Sequence, residues 1–102
     1  MSETEHVEQL WKAHLDAPFP RALAGAEIDG EDLALLDSMA AGCISTFVGS
    51  SRLDGQQLQV LTACAHDLSR VCPRIPAPHR AYFERLRDIA QGVVRICREG
   101  PD

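Results

Sequence analysis

The stretch 64-CAHDLSRVC-72, followed at once by Pro73, decides how this chain is read. Two cysteines, a histidine and an aspartate in nine residues can form a metal or redox site, or they can lie on a helix that buries cysteine. On a helix, residues two apart point about 200° away from each other, so Cys64 and His66 cannot grip one ion. Cys72 lies on the same side as Cys64 but roughly 12 Å further along the axis. Tetrahedral zinc draws its ligands to within about 2.0–2.3 Å of the metal, which one helix cannot do with these three residues. Cys72 instead continues the apolar series Leu58, Leu61, Ala65 and Leu68, with Cys64 at its edge. Free cysteine packs there as a small hydrophobe. The stretch is core helix, and the fold it predicts is all-α.

Working outward, the same period recurs along the chain. Asp54 with Gln57 three residues on opens the helix just described, and Pro73 halts it, which gives 55–72. Before it, Asp29 is the expected N-cap of a helix over 30–48, with Glu31 and Asp32 in the first turn to suit the macrodipole. Leu33, Leu36, Ala40, Cys43 and Phe47 mark its buried face, widened by Leu35, Met39 and Ile44. Gly49 and the serines after it are the expected stop. Gly42, mid-helix, costs about 1 kcal/mol against alanine and predicts close approach of another helix. A first helix over 3–15 starts at Ser2, spaced to Glu5 as a capping box, and ends before Pro18 and Pro20. It places Val7, Leu10, Trp11 and Leu15 on one side. The last helix, 78–98, has Pro78 at its first position and a stripe of Tyr82, Leu86, Ile89, Val93 and Ile96, flanked by Phe83, Ala90 and Cys97. The one long connection, 16–29, holds an extra helical turn at "PRALAG". No segment reads as a strand. The expectation is a small antiparallel four-helix bundle in a single domain, residues 1–102.

Composition sets the outer bounds. A chain of 102 residues has room for one domain. Lys12 is the only lysine and asparagine is absent, a bias that fits a GC-rich bacterial genome. The net charge of −5 argues against sequence-blind binding to nucleic acid or to an anionic membrane. Residues 1–51 carry −7 and residues 52–102 carry +2, so the two halves can satisfy each other within one fold or across a homodimer. The acidic N-terminus lacks the pattern of a secretory signal. The least polar stretch, "MAAGCISTFVG", is shorter than the roughly 20 residues a bilayer span needs. A cytoplasmic protein with reduced cysteines is expected.

Chemistry is sparse. Glu3 and His6 have the i, i+3 spacing of carboxylate-bridged di-iron bundles, but such sites need two copies and only one is present. No CxxC pair, nucleophile elbow or phosphate loop occurs, so no enzyme, no cofactor and no metal site is predicted. Cys43, Cys64, Cys72 and Cys97 lie on or beside the stripes of three helices and can meet only between helices. Arg80, Arg87, Arg95 and Arg98 lie on the expected outer side of the last helix, interrupted by Glu84 and Asp88 at ion-pairing spacings. With the aromatics on the opposite side, nothing there stacks on bases; the stripe reads as a solvated face open to protein contact.

Together, "LWKAHLDAPFP" (10–20), "AGCISTF" (41–47) and "AYFERLRDIA" (81–90) resemble landmarks of a family of short, uncharacterised, all-helical bacterial proteins. The resemblance covers roughly Leu10 to Val94. It implies that the whole chain is one unit, and it carries no activity or site residue.

Two functional readings follow. The leading one is a non-catalytic regulatory or accessory protein that binds a protein partner or itself as a homodimer, using Trp11, His14, Arg80, Arg87 and Arg95. In it the first helix, with the only tryptophan, is the docking element. The alternative is a helical bundle that binds a small molecule or a metal through Trp11, His14 and the inter-helix cysteines.

Overall fold

The computed structural model describes residues 2–100. Four helices carry the fold: α1 (Glu3–Leu15), α2 (Leu33–Ser50), α3 (Gly55–Val71) and α4 (Ala77–Glu99). The expected cap of α3 forms in full, and at α1 the Ser2 half of the expected capping box forms. Ser2 Oγ accepts from the Glu5 N–H at 3.1 Å, and Asp54 and Gln57 exchange both hydrogen bonds of a capping box, at 2.7 and 3.0 Å. Pro73 ends α3 one residue early: Cys72 begins a short 3-10 turn, Cys72–Arg74. A second such turn, Arg21–Leu23, is the one expected at "PRALAG".

The start of α2 differs from the expectation. Asp29 is not its N-cap, and the second strand of a short pair occupies residues expected as its first turn. Residues β1 (Glu27–Ile28) and β2 (Glu31–Asp32) form a minimal antiparallel hairpin, with Glu27 opposite Asp32 and Ile28 opposite Glu31. Asp29 and Gly30 both have positive φ, 53° and 80°. That is the backbone of a two-residue hairpin turn, for which Asp-Gly is a favoured pair. Asp32 then caps α2 by accepting from the Leu35 N–H at 3.1 Å. At the other end the stop falls within the expected run of Gly49 and serines: the helix continues through Ser50, and Ser51 at φ 65° makes the left-handed stop.

Helix α4 is the centre of the packing. Phe83, Leu86, Ile89, Ala90 and Val93 are fully buried and meet α1, α2 and α3. Helix α1 lies chiefly against α4 and runs antiparallel to it: Glu3 pairs with Arg95, Val7 meets Gly92, and His14 meets Arg85. Helix α3 is also antiparallel to α4, with Gln91 donating to Ser69 Oγ at 2.9 Å. The close approach expected at Gly42 occurs at Gly92 instead. A Cβ on Gly92 would sit 2.7 Å from Val7 Cγ2, whereas one on Gly42 would meet nothing within 4 Å.

Three apolar residues assigned to the core from periodicity alone lie outside it. Leu15 is 64% exposed, Leu35 58% and Met39 43%. On α2 the stripe that packs is Leu33, Leu36, Ala40, Ile44 and Phe47, and Leu35 and Met39 project from the opposite side. By length and composition α2 is the one helix among the described residues that could cross a membrane, a longer apolar segment than "MAAGCISTFVG". The charged halves pair within the chain. Arg70 bridges Glu31 at 3.0 Å and Asp29 at 3.6 Å, and Arg74 reaches Asp29 at 2.6 Å.

Candidate functional site

Trp11 and His14 are both buried, at 8% and 5% exposure, so neither is presented for docking. The last two turns of α1 press them against the first half of α4. The His14 and Tyr82 rings lie 4.4 Å apart between centroids, and Phe19 stands edge-on to both Tyr82 and Phe83. Arg85 Nε donates to His14 Nδ1 at 3.1 Å, and Tyr82 Oη donates to Asp37 Oδ1 at 2.7 Å. Burial, and then the Arg85 charge, push the His14 pKa down to about 4. Burial raises the Asp37 carboxyl, with the Tyr82 hydrogen bond opposing that rise. The Tyr82 phenol is raised too, first by burial and then by Asp37.

Asp37, Tyr82 and Arg85 were not legible as partners of His14. Arg85 stands 71 residues away in sequence, with no motif linking the two. His14 is buried, while Asp37, Tyr82 and Arg85 are half-buried at the edge of the ring stack. The cluster ties the end of α1 to α4.

The arginines expected to form an outward stripe are largely occupied. Arg80 donates from Nε to the Ile75 carbonyl at 3.0 Å and so ties down the α3–α4 turn. Arg87 pairs with its neighbour Asp88 at 3.0 Å, and Arg95 with Glu3. Arg98 makes a long 3.5 Å contact to Thr62 Oγ1. The anticipated Arg80–Glu84 pair is replaced by these carbonyl bonds, because Arg80 lies at the mouth of the turn. Arg80, Arg87 and Arg95 therefore do not form one free cationic face.

All four cysteines are free thiols. Cys64 and Cys72 are buried, while Cys43 and Cys97 are half-buried. Cys43 Sγ lies 3.7 Å from the Gln57 carbonyl, and Cys64 is close enough to Cys43 to feel its charge. Burial first, then Cys43, Asp67 and Glu31, push the Cys64 thiol up to about 11. Among the described residues, no group of three or more His, Cys, Asp or Glu side chains converges as metal ligands would. Cavities of about 490, 190, 220 and 200 Å³ open on the surface, and neither Trp11 nor His14 lines them.

The feature that remains is the outer side of α2. Leu35, Met39, Gly42, Thr46 and Gly49 recur at spacings of four, three, four and three. At 100° per residue they fall within ~40° of one line along the helix, opposite the core stripe. The only charged residue of α2, Asp37, is turned to Tyr82 and away from this line. Thr46 Oγ1 bonds back to the Gly42 carbonyl at 3.0 Å, and Ser50 Oγ to the Thr46 carbonyl at 2.8 Å. Those hydroxyls are thus spent on their own helix. The result is an exposed, uncharged seam with large residues at one end and glycines at the other. Residue periodicity hid it, because Leu35 and Met39 also fit a widened core face.

In comparisons with known proteins the chain matches no family model, no curated protein and no solved structure, so its own geometry is the basis for a functional reading.

Proposed function

We propose that this chain is a non-catalytic interaction protein that docks a protein surface through the outer seam of α2. One observation carries the reading: Leu35 and Met39 stand 58% and 43% exposed on a helix whose outward side bears no charge. Exposed large apolar residues gathered in line, rather than scattered singly, mark contact surfaces. The seam's 4-3-4-3 spacing is that of a helix which buries itself against another helix. The docking element is thus α2 rather than α1, whose Trp11 is engaged in the core. An accessory or regulatory role in the cytoplasm is part of this proposal.

A photo-crosslinking residue in place of Met39, with a second at exposed Ala81 on α4 as control, tests this in cells that produce the protein. Crosslinks to protein at 39 and none at 81 are expected. If position 39 crosslinks to no protein, neither to this chain nor to another, the docking reading is wrong.

A further inference from the structure

We infer that the occupant of the α2 seam is a second copy of this chain, with its α2 running antiparallel about a twofold axis at Gly42; this rests on the docking reading above. Three observations point to it. The first is shape. Gly42 and Gly49 are helical, and an added Cβ at either would meet nothing within 4 Å. Each costs stability in an exposed helix interior and serves no packing need inside the monomer. A neighbouring helix needs such positions for close approach.

The second is self-complementarity. In an antiparallel pair centred on Gly42, Leu35 faces Gly49 of the second copy, and Met39 lies level with its Ser45, beside Thr46. Large residues thus enter the gaps left by small ones, at both ends at once, as an isologous interface requires. A parallel pair would oppose Leu35 to Leu35 and leave glycine against glycine.

The third is charge. In a chain of net charge −5, α2 puts no charge of its own on the seam, although Glu31, Asp32 and Asp67 border its Leu35–Met39 end. Its ends are of opposite sign. Asp32 caps the start of α2, and Arg52, exposed and without a side-chain partner among the described residues, follows its end. The antiparallel register brings Arg52 of one copy to Asp32 of the other. An 18-residue helix is about 27 Å long and about 10 Å across, so one helix pair covers a strip below the roughly 1,200–2,000 Å² buried by stable interfaces. The dimer is therefore weak and concentration-dependent.

Sedimentation velocity from about 1 µM to about 1 mM protein tests the inference. A reversible monomer–dimer equilibrium is expected, weakened at least about tenfold by Met39→Arg. Leu35→Lys and Gly49→Glu, each alone, should weaken it similarly. The doubly substituted chain should recover most of the affinity, because each lysine then meets a glutamate of the other copy. All the substituted positions are exposed, and circular dichroism melts verify that the variants fold.

A monomer throughout the range overturns self-pairing; crosslinking of position 39 to a different protein would then leave the docking reading standing. A dimer indifferent to Met39→Arg overturns the inference and removes this seam as its basis. A double variant no tighter than the single ones overturns the antiparallel register, and the inference with it.

Discussion

Arg85 donates through Nε to Nδ1 of His14 at 3.1 Å, and this bond leaves His14 with a buried Nε2 that meets no partner among the described residues. Because Nδ1 accepts, the proton of the neutral ring sits on Nε2, so the orphan is an N–H donor. An unmade hydrogen bond of this kind costs about 1–3 kcal/mol. It persists because the same ring packs against Tyr82 and Trp11 and closes the α1–α4 contact.

The His14 pKa, about 4 in the fold against about 6.5 in an unfolded chain, makes the fold acid-labile in a defined window. A depressed pKa means that the unfolded chain binds the proton first. The stability from neutral His14 is full above pH 6.5 and is lost as pH falls through about 4. The groups that face the ring are Arg85 and Tyr82 from α4, with Asp37 of α2 behind Tyr82. Asp37 works in the opposite sense: its raised pKa favours its protonated form in the fold as pH falls. Urea unfolding across pH 7 to 4 should show a net loss on the order of 2 kcal/mol. His14→Phe, which keeps a ring and removes the N–H, should be close to neutral at pH 7 and flatten that slope. An unchanged slope in His14→Phe would assign the acid sensitivity elsewhere.

Gly92 and Gly42 should respond oppositely to alanine. At Gly92 the new methyl group meets Val7 Cγ2, a stiff β-branched side chain that is 1% exposed. Gly92→Ala should cost about 1–3 kcal/mol by overpacking, and Val7→Ala in the same chain should relieve part of the clash. Gly42→Ala should stabilise the monomer by about 1 kcal/mol, because open space surrounds it. Denaturant midpoints of the three variants check both signs. A destabilised Gly92→Ala that Val7→Ala fails to relieve in the double variant would contradict this packing.

The cysteines should react in an order set by burial. Cys64 is 1% exposed with its thiol pushed up to about 11, and Cys72 is also 1% exposed. Iodoacetamide at pH 8 should therefore modify the half-buried Cys43 and Cys97 first, leaving Cys64 and Cys72 intact until the chain unfolds. Peptide mass spectrometry reads the order directly. Early modification of Cys64 in the folded protein would mean that the α2–α3 contact opens readily.

Local patterns in the sequence were enough for the helices themselves. The Asp54–Gln57 box, the Ser2 cap, Pro73 as a stop and the stripes of α3 and α4 act within a few residues, so their outcome is written in adjacent letters. The same logic correctly read Cys64 and Cys72 as core. It misjudged the start of α2, and at the other end, where the serines after Gly49 do stop the helix, it was two residues short. Asp29-Gly30 is also a hairpin signal, and the pull of an N-cap beside acidic residues obscured it.

Tertiary structure decided what lay across the fold. Apolar period alone makes Leu35 and Met39 look like core. Only the placement of α3 and α4 against one side of α2 turns them into an exposed seam. Likewise Gly42 and Gly92 are equivalent as letters, and only the approach of Val7 tells them apart. His14 and Arg85 meet because α1 folds back along α4. Caps and stripes are short-range effects that a sequence states outright, whereas which face is covered depends on packing between distant segments.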